Sequence, residues 1–428
     1  MVAQSLGREV CGAPLRGVSV MPDILWSGDF MAGWLPSGMK FSRGSDGGYF
    51  DASGTWQVAG SGVARFDYDP VTLVPRGLLF EESRTNSLRS GEMGGLTLGK
   101  INGGAGGLAP NHWGIATNTG GDITVTGAGT EYGLQYMDLR FSGSPSSGSM
   151  LMRMEETTQI AAASGQVWTG SCFMRMVGGS LTNVGVVGLR LEERNSSGTA
   201  IGGATADSTD PVGNGLTRLS VTRTFNNAAT AYALLNMRVQ TLGGAIDITL
   251  RIYATQLERG AVATSYIKTN GTAATRAADS LVKTQAGLGK GTLVAQAIAS
   301  GVGQDMAFAA LSDNSTSNAV NVLGVASSSR LAATVTTGGN SQASMFVSGT
   351  WAAMVPKKVG VAWRKNDFEL AVGSSLVADT AGNVPVTSQI DIGRTGNATT
   401  SLFNGWIQRV TLYRDRLENG RLQQLVKG

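Results

Sequence analysis

Residues 357–372 read KKVGVAWRKNDFELAV. Val359, Val361 and Trp363 alternate with smaller residues, and Phe368, Leu370 and Val372 resume the alternation after Lys365-Asn366-Asp367. Successive side chains of a strand point to opposite faces, so an apolar period of two predicts two strands with one buried face each. The three polar residues between them predict a hairpin turn. The same short apolar runs recur on both sides of this hairpin, at 293–298, 307–311, 319–325, 331–336, 343–347 and 407–413. Further upstream they recur at 134–141, 167–174, 184–191, 219–225, 232–240 and 246–257. No helical period intervenes. Strands so spaced predict an all-β chain with two β-sandwiches, the first a jelly roll that hides its edges in two packed sheets.

Composition agrees and excludes other classes. Glycine accounts for 61 of 428 residues and charged residues for 15%, against usual shares of about 7% and about 25%. A charged disordered chain and a helical coiled coil are thereby excluded. The net charge is +4, with 34 basic against 30 acidic residues and no run of Lys or Arg. A nucleic-acid groove needs a clustered basic footprint, so no nucleic-acid partner is predicted. Cys11 and Cys172 make neither a disulfide framework nor a zinc motif, and both read as small buried hydrophobes. The opening MVAQSLGREV has no basic-then-apolar pattern, so no secretory signal is expected, and no apolar run is long enough for membrane insertion.

Residues 1–60 are glycine-rich, with Trp26, Trp34 and Trp56 set among Gly, Ser and Asp. The apolar runs at 18–20 and 24–26 are too brief for independent strands. The segment reads as an extended arm lying on a partner, or as a subdomain packed on its own chain. In 61–90, Asp69-Pro70 predicts one turn and Pro75-Arg76-Gly77 another. Glu81, Glu82 and Arg84 read as a salt-bridge and hydrogen-bond knot in a turn rather than as an acid–base pair. Residues 271–290 are dominated by small side chains and read as a linker. At the other end, Asp415-Arg416-Leu417-Glu418 fits a capping box, with Leu417, Leu422 and Leu425 giving a short terminal helix its apolar side.

A single histidine, His112, argues against His-based triads and multi-His metal sites, and it reads as a partly buried loop residue. Trp351, Trp363 and Trp406 are the candidates for stacking on a sugar; the latter two lie in strand patterns, where a core role is favoured. The acids of the last unit are Asp305, Asp313, Asp367, Glu369, Asp379, Asp391, Asp415 and Glu418. Of these only Asp367 and Glu369 approach the spacing of a two-carboxylate glycosidase, and they flank the hairpin turn. No calcium loop spacing is present. No catalytic residue, metal ligand or cofactor is predicted, and ligand-binding residues stay unassigned.

Three stretches resemble known families. ARFDYDPVTLVPRGLLFEESRTN, residues 64–86, resembles a signature of bacteriophage head-spike, tail-fibre and gene-transfer-agent proteins. Arg65, Asp67, Tyr68, Asp69, Pro70, Arg76, Gly77, Leu78, Leu79, Glu81, Arg84, Thr85 and Asn86 carry the match. ATQLERGAVATSYIKTNGTAATRAADSL, residues 254–281, resembles the exit of a carbohydrate-binding-module-like jelly roll. There Gln256, Leu257, Glu258, Gly260, Thr264, Ser265, Tyr266 and Ile267 match, followed by Thr275-Arg276-Ala277-Ala278-Asp279. FNGWIQRVTLYRDRLENGRLQQL, residues 403–425, looks like the closing strand and helix of a concanavalin A-like or laminin G-like sandwich.

The resemblance implies four regions: an N-terminal virion-anchoring region over 1–90, a jelly roll over 91–270, a linker over 271–290 and a concanavalin A-like domain over 291–428. It implies a virion surface protein, a spike or fibre on the phage head or tail that adheres to host surface glycans. Its partners would be capsid, portal-proximal or tail proteins and a host polysaccharide. A cyclic homo-oligomer is expected, a trimer for a fibre or a pentamer at a capsid vertex. The alternatives are a polysaccharide-degrading spike enzyme and a decoration protein that only stabilises the shell.

Overall fold

The computed structural model describes residues 23–103, 106–208, 210–349 and 351–427. The run at 18–20 and Cys11 lie outside them. Four large antiparallel sheets form two sandwiches, and the predicted all-β class holds.

The first sandwich runs from Gly99–Lys100 to Ile246–Arg259. One sheet orders Thr217–Thr224, Val167–Gly179, Ile246–Arg259, Leu134–Gly143, Gly121–Glu131 and Gly99–Lys100. The facing sheet orders Ala200–Asp207, Val184–Arg194, Tyr232–Thr241, Gly148–Met154 and Gly114–Ala116, with Ile160–Ala161 beside Tyr232–Thr241. Alternate residues of each strand meet between the sheets, where Leu139, Phe141, Leu191, Met237 and Leu250 are fully enclosed.

The second sandwich is assembled from both ends of the chain. Lys290–Ala299 lies between Lys357–Arg364 and Gly405–Tyr413, and Asp367–Val372 and Ser375–Asp379 extend that sheet on one side. On the other side Gly405–Tyr413 pairs with Ile24–Asp29 and with Pro75–Phe80, which in turn pairs with Arg65–Tyr68. The opposing sheet likewise carries Met39–Ser42 on Ser280–Thr284, ahead of Gln389–Ile392 and four strands between residues 306 and 347. Phe30, Leu78 and Phe80 are buried in the same core as Leu293, Trp363 and Leu412.

Of the two readings of residues 1–60, packing on the same chain therefore holds from residue 24. Strands of four to six residues are marginal alone, but here each finds a hydrogen-bonding edge and a core to cover. The first sandwich is thus an insertion between two halves of the second. The expected turn at Pro75-Arg76-Gly77 is instead a strand, Pro75–Phe80, with proline at its first position, where a ladder donor is dispensable. Residues 271–290 are more than a linker. Ala274–Arg276 pairs with Arg84–Asn86, and Ser280–Thr284 enters the sheet. Small side chains suit a place where strands of both sandwiches converge.

The terminal helix spans Asn419–Val426 and begins at Glu418, which makes no side-chain cap. The expected Asp415 cap is not formed: the helix begins three residues later than that cap would place it, and Asp415 pairs with Lys290 at 2.6 Å instead. Leu422 and Val426, rather than Leu425, are buried under the helix, against Ala362 and Ala371. Gly360 makes room for them: a Cβ there would lie 2.8 Å from Leu422 Cδ1. No helix among the described residues is long and apolar enough to cross a membrane.

Candidate functional site

Where the chain leaves the second sandwich and returns to it, charged side chains converge with almost no exposure. Arg65 donates to Glu81 Oε2 at 2.7 Å and to Asp279 Oδ2 at 2.6 Å. Arg43 reaches the other oxygen of Asp279 at 3.2 Å, and Arg276 reaches Glu81 at 3.2 Å. Ser265 Oγ donates to Glu81 at 2.7 Å, and the Glu81 N–H donates to Asp279 at 2.9 Å. Burial by itself would raise the Glu81 carboxyl, but Arg276 and Arg65 hold it down at about 2. Beside this group, Asn86 uses its whole amide, donating to Thr255 and Ile267 carbonyls and accepting from the Leu88 and Leu257 N–H groups. Arg84 approaches Glu258 at 3.6 Å. Gly260, at φ +134°, leaves space that a Cβ would take from the Arg84 guanidinium.

The expected knot is thus real, but it is not local. It joins the two motif-bearing stretches, 64–86 and 254–281, from opposite ends of the inserted sandwich.

One wall of this junction opens into a cleft of about 400 Å³. Its apolar side comes from the hairpin of Gly47–Phe50 and Trp56–Ala59, which rests on the first sandwich. Phe50 meets Phe173 edge-on at 5.4 Å, and Trp56 lies 5.7 Å from Tyr266. Tyr49, half-buried, lines the same space, and Met354 and Val71 are exposed in its lining.

The polar side centres on Asp67. Its carboxylate accepts the Phe50 N–H at 2.6 Å and the Trp406 Nε1–H at 2.7 Å. Burial pushes its pKa up to about 6 despite these bonds. Arg76 stacks 4.7 Å over the Trp406 ring and pairs with Asp69 at 2.6 Å. Burial works to raise the Asp69 carboxyl, but the N–H groups of Thr72 and Val71, together with Arg76, keep it below the usual range. Glu81 also reaches the cleft, as do Asp210, Thr217, Arg218 and Ser220 from the first sandwich.

Of the three tryptophans singled out from sequence, only Trp406 lines the cleft. Trp363 is core, as favoured. Trp351 is core as well, 4% exposed and laid against Gly324, where it displaces any Cβ. Asp367 and Glu369 are fasteners of the terminal helix: Arg416 reaches Asp367 at 2.7 Å, and Asn419 Nδ2 donates to Glu369 at 2.9 Å. Asp391 is buried on Ser312 and Gln389, Asp305 accepts the Ala326 N–H, and Asp313 and Asp379 accept N–H groups two residues on. His112 sits half-buried in a loop at φ +69°. Among the described residues no group of three or more His, Cys, Asp or Glu could hold a metal ion.

Tyr49, Phe50, Trp56, Phe173 and Arg218 were not singled out as site residues from sequence. Asp67, Asp69 and Arg76 stood in the 64–86 motif, where Asp67 read only as part of a family signature and the other two also as turn residues.

No family model matches the chain, and no curated protein matches it by sequence. Solved structures with some likeness include the CBM40 of Ruminococcus gnavus IT-sialidase bound to α2,3-sialyllactose. That match is 16% identical with a TM-score of 0.30, and it covers 33% of this chain and 84% of that one. The CBM22-1 xylan-binding domain of Paenibacillus barcinonensis Xyn10C gives 15% identity and a TM-score of 0.25, covering 42% of this chain and 94% of that one. The enzymatically active domain of bacteriophage CBA120 tailspike protein 4 gives 12% and 0.21, covering 35% and 20%. At these scores the likenesses say nothing about what this chain binds; the strand pairing and the cleft speak for themselves.

Proposed function

We propose that the protein is a glycan-binding spike or fibre subunit of a phage-type particle, and that it holds its sugar in the junction cleft. The observation that carries the binding reading is the composition of that cleft. Aromatic rings line one side, fixed carboxylates and guanidinium groups line the other, and the volume falls in the range of about 300–1,000 Å³ that small ligands need. Aromatic faces take the apolar face of a sugar ring, and pre-oriented polar groups take its hydroxyls. The virion reading rests on the 64–86 signature, whose Arg65, Glu81, Arg84 and Asn86 build the junction.

The test is a binding isotherm of the full chain on a panel of host-surface polysaccharides, with Tyr49→Ala as the probe variant. Tyr49 is half-buried, so its loss should spare the fold. Saturable binding that Tyr49→Ala weakens at least about fivefold supports the reading, since one well-placed aromatic contributes on the order of 1–3 kcal/mol. Absence of binding to the whole panel sinks it. Antibody labelling of intact particles checks the surface position, and light scattering checks the proposed homo-oligomer.

Cleavage of the same polysaccharide is the second reading, favoured by the raised Asp67 carboxyl, which at about 6 can hold a proton near neutral pH. Against it, Glu81 is taken by two arginines and Asp69 by Arg76, leaving only Asp210 as a possible second carboxylate. Falling polymer mass during incubation would favour cleavage, and binding at constant mass would favour the adhesin.

A further inference from the structure

Two cations line the junction cleft, and they are not equivalent. Arg76 is neutralised by Asp69 and stacked on Trp406. Arg218 has no carboxylate within ion-pair distance among the described residues. Its Nη2 donates only to neutral acceptors, the Thr264 carbonyl and Ser171 Oγ. Its Nε is buried without a partner. The group lies 5.5 Å from the centre of the Phe173 ring, on the side of the cleft contributed by the first sandwich.

A desolvated cation without a counter-ion is costly, and a buried donor left unpaired adds to that cost. Burial accordingly lowers the Arg218 pKa. The neighbouring junction arginines show the ordinary remedy. Arg65 and Arg276 also carry an unpaired Nε, but their outer nitrogens are fixed on Glu81, Asp279 or both. Among the described residues Arg218 has no such bond: Glu258, Glu81 and Asp67 act on it only from beyond ion-pair distance.

The acids of the cleft do not supply it. Both oxygens of Asp67 are occupied by Phe50 and Trp406. Asp69 is bound to its own loop and to Arg76, and Glu81 to Arg65, Arg276 and Ser265. Asp210 accepts the Ser220 N–H at 3.3 Å and does not reach Arg218.

We infer that Arg218 is a specificity-determining residue and that the missing counter-ion arrives with the ligand: the cleft takes a carboxylate-bearing sugar. The inference rests on the glycan-binding reading above and narrows it. With Nη2 already bonded and Nε enclosed, Nη1 is the donor left open, and a charge-assisted bond from it to a carboxylate is stronger than one to a neutral hydroxyl. Thr217 and Ser220, on the same strand as Arg218, line the same cleft and offer hydroxyl groups to the ring that carries the carboxylate. Acidic sugars come as uronic acids or as nine-carbon ulosonic acids, and both offer this carboxylate.

The experiment titrates the full chain with polygalacturonate and polysialic acid, each beside its carboxyl-reduced counterpart, and with a panel of neutral polysaccharides. One of the two acidic polymers should bind, and reducing its carboxyl groups should weaken binding about tenfold to a hundredfold, the span of one charge-assisted hydrogen bond. Which polymer binds distinguishes the two sources. Arg218→Gln should remove the preference for the acidic form, so that the acidic and carboxyl-reduced polymers bind it alike. Arg218→Lys should fall between them and keeps the test open where the glutamine variant folds poorly. In the unaltered chain, the 15Nε resonance of Arg218 should shift with the acidic polymer and stay in place with the reduced one. Tight binding of a neutral polysaccharide with no response to carboxyl reduction overturns the inference and leaves the glycan-binding reading standing. No binding to any polymer overturns both.

Discussion

Replacing Arg65 by methionine tests whether the junction is held by its charges. The guanidinium is wholly enclosed and makes four bonds, to Glu81 at 2.7 Å, Asp279 at 2.6 Å, the Gly48 carbonyl at 3.0 Å and Ser265 Oγ at 2.9 Å. Methionine fills much of the same volume and makes none of them. Glu81 would retain Arg276, and Asp279 would retain Arg43, so neither carboxylate is stripped entirely. The Gly48 carbonyl loses this donor. Removing one partner from a buried ion pair costs about 3–5 kcal/mol, and the remaining arginines place Arg65→Met toward the lower end of that range. Urea unfolding followed by tryptophan fluorescence measures the loss. Combining Arg65→Met with Asp279→Asn should give less than the sum of the single losses, with a coupling of about 1–3 kcal/mol, because the second change removes a charge the first has left partly exposed to its neighbours. Replacing Arg140, whose pair with Asp247 is open to solvent, should leave the midpoint where it was. A loss below about 1 kcal/mol for Arg65→Met, or strict additivity with Asp279→Asn, would show that the sandwiches are held together by packing alone.

The Asp67 carboxyl titrates at about 6 in the fold against 3.8 in the open chain, so the native state binds this proton more tightly. Its contribution is fully present below pH 4 and is lost as pH rises through about 6, a swing of roughly 3 kcal/mol. Asp67→Asn should lack that swing, so its stability relative to the unaltered chain should rise between pH 4 and 7; a pH-independent difference contradicts the assignment. Glu81 acts in the opposite sense, stabilising above its open-chain value of 4.5 and losing that contribution as pH falls toward 2, and it cancels in the comparison. Gly360→Val should push Leu422 and Val426 off the sheet at a cost of about 1–3 kcal/mol, seen as faster amide exchange confined to the terminal helix. The Cys172 thiol, 1% exposed and pushed up to about 12 by burial, should resist a thiol reagent in a Cys11→Ser background until the chain unfolds.

What could be read from sequence divides by the range of the contacts. Strands whose burial repeats every second residue were legible, and 246–257 and 293–298 recur within Ile246–Arg259 and Lys290–Ala299. The strands of residues 24–80 were not. Met39–Ser42 and Arg65–Tyr68 are four residues each, too short for a period, and their sheet partners lie beyond residue 280 or in other brief runs. Pro75-Arg76-Gly77 has the chemistry of a turn, and pairing with Asp67 and Tyr68 makes a strand of it.

The site was hidden for the same reason. Glu81 and Arg84 announced a knot, but the partners that define it, Ser265 and Asp279, are 184 and 198 residues away from Glu81. Asp67 meets the Trp406 indole across 339 residues. A cleft built from stretches scattered between residues 49 and 406 leaves no local spacing to find. The family resemblance marked many of the right residues without their roles, because a residue that closes a junction and one that faces a ligand look alike in a linear motif. The two are coupled here. Glu81 is held by Arg65 and Arg276 on its buried side and reaches the cleft on the other. The bonds that keep the inserted sandwich seated therefore also fix one wall of the place where a ligand would lie, and a substitution at the junction should weaken binding even where it touches no ligand atom.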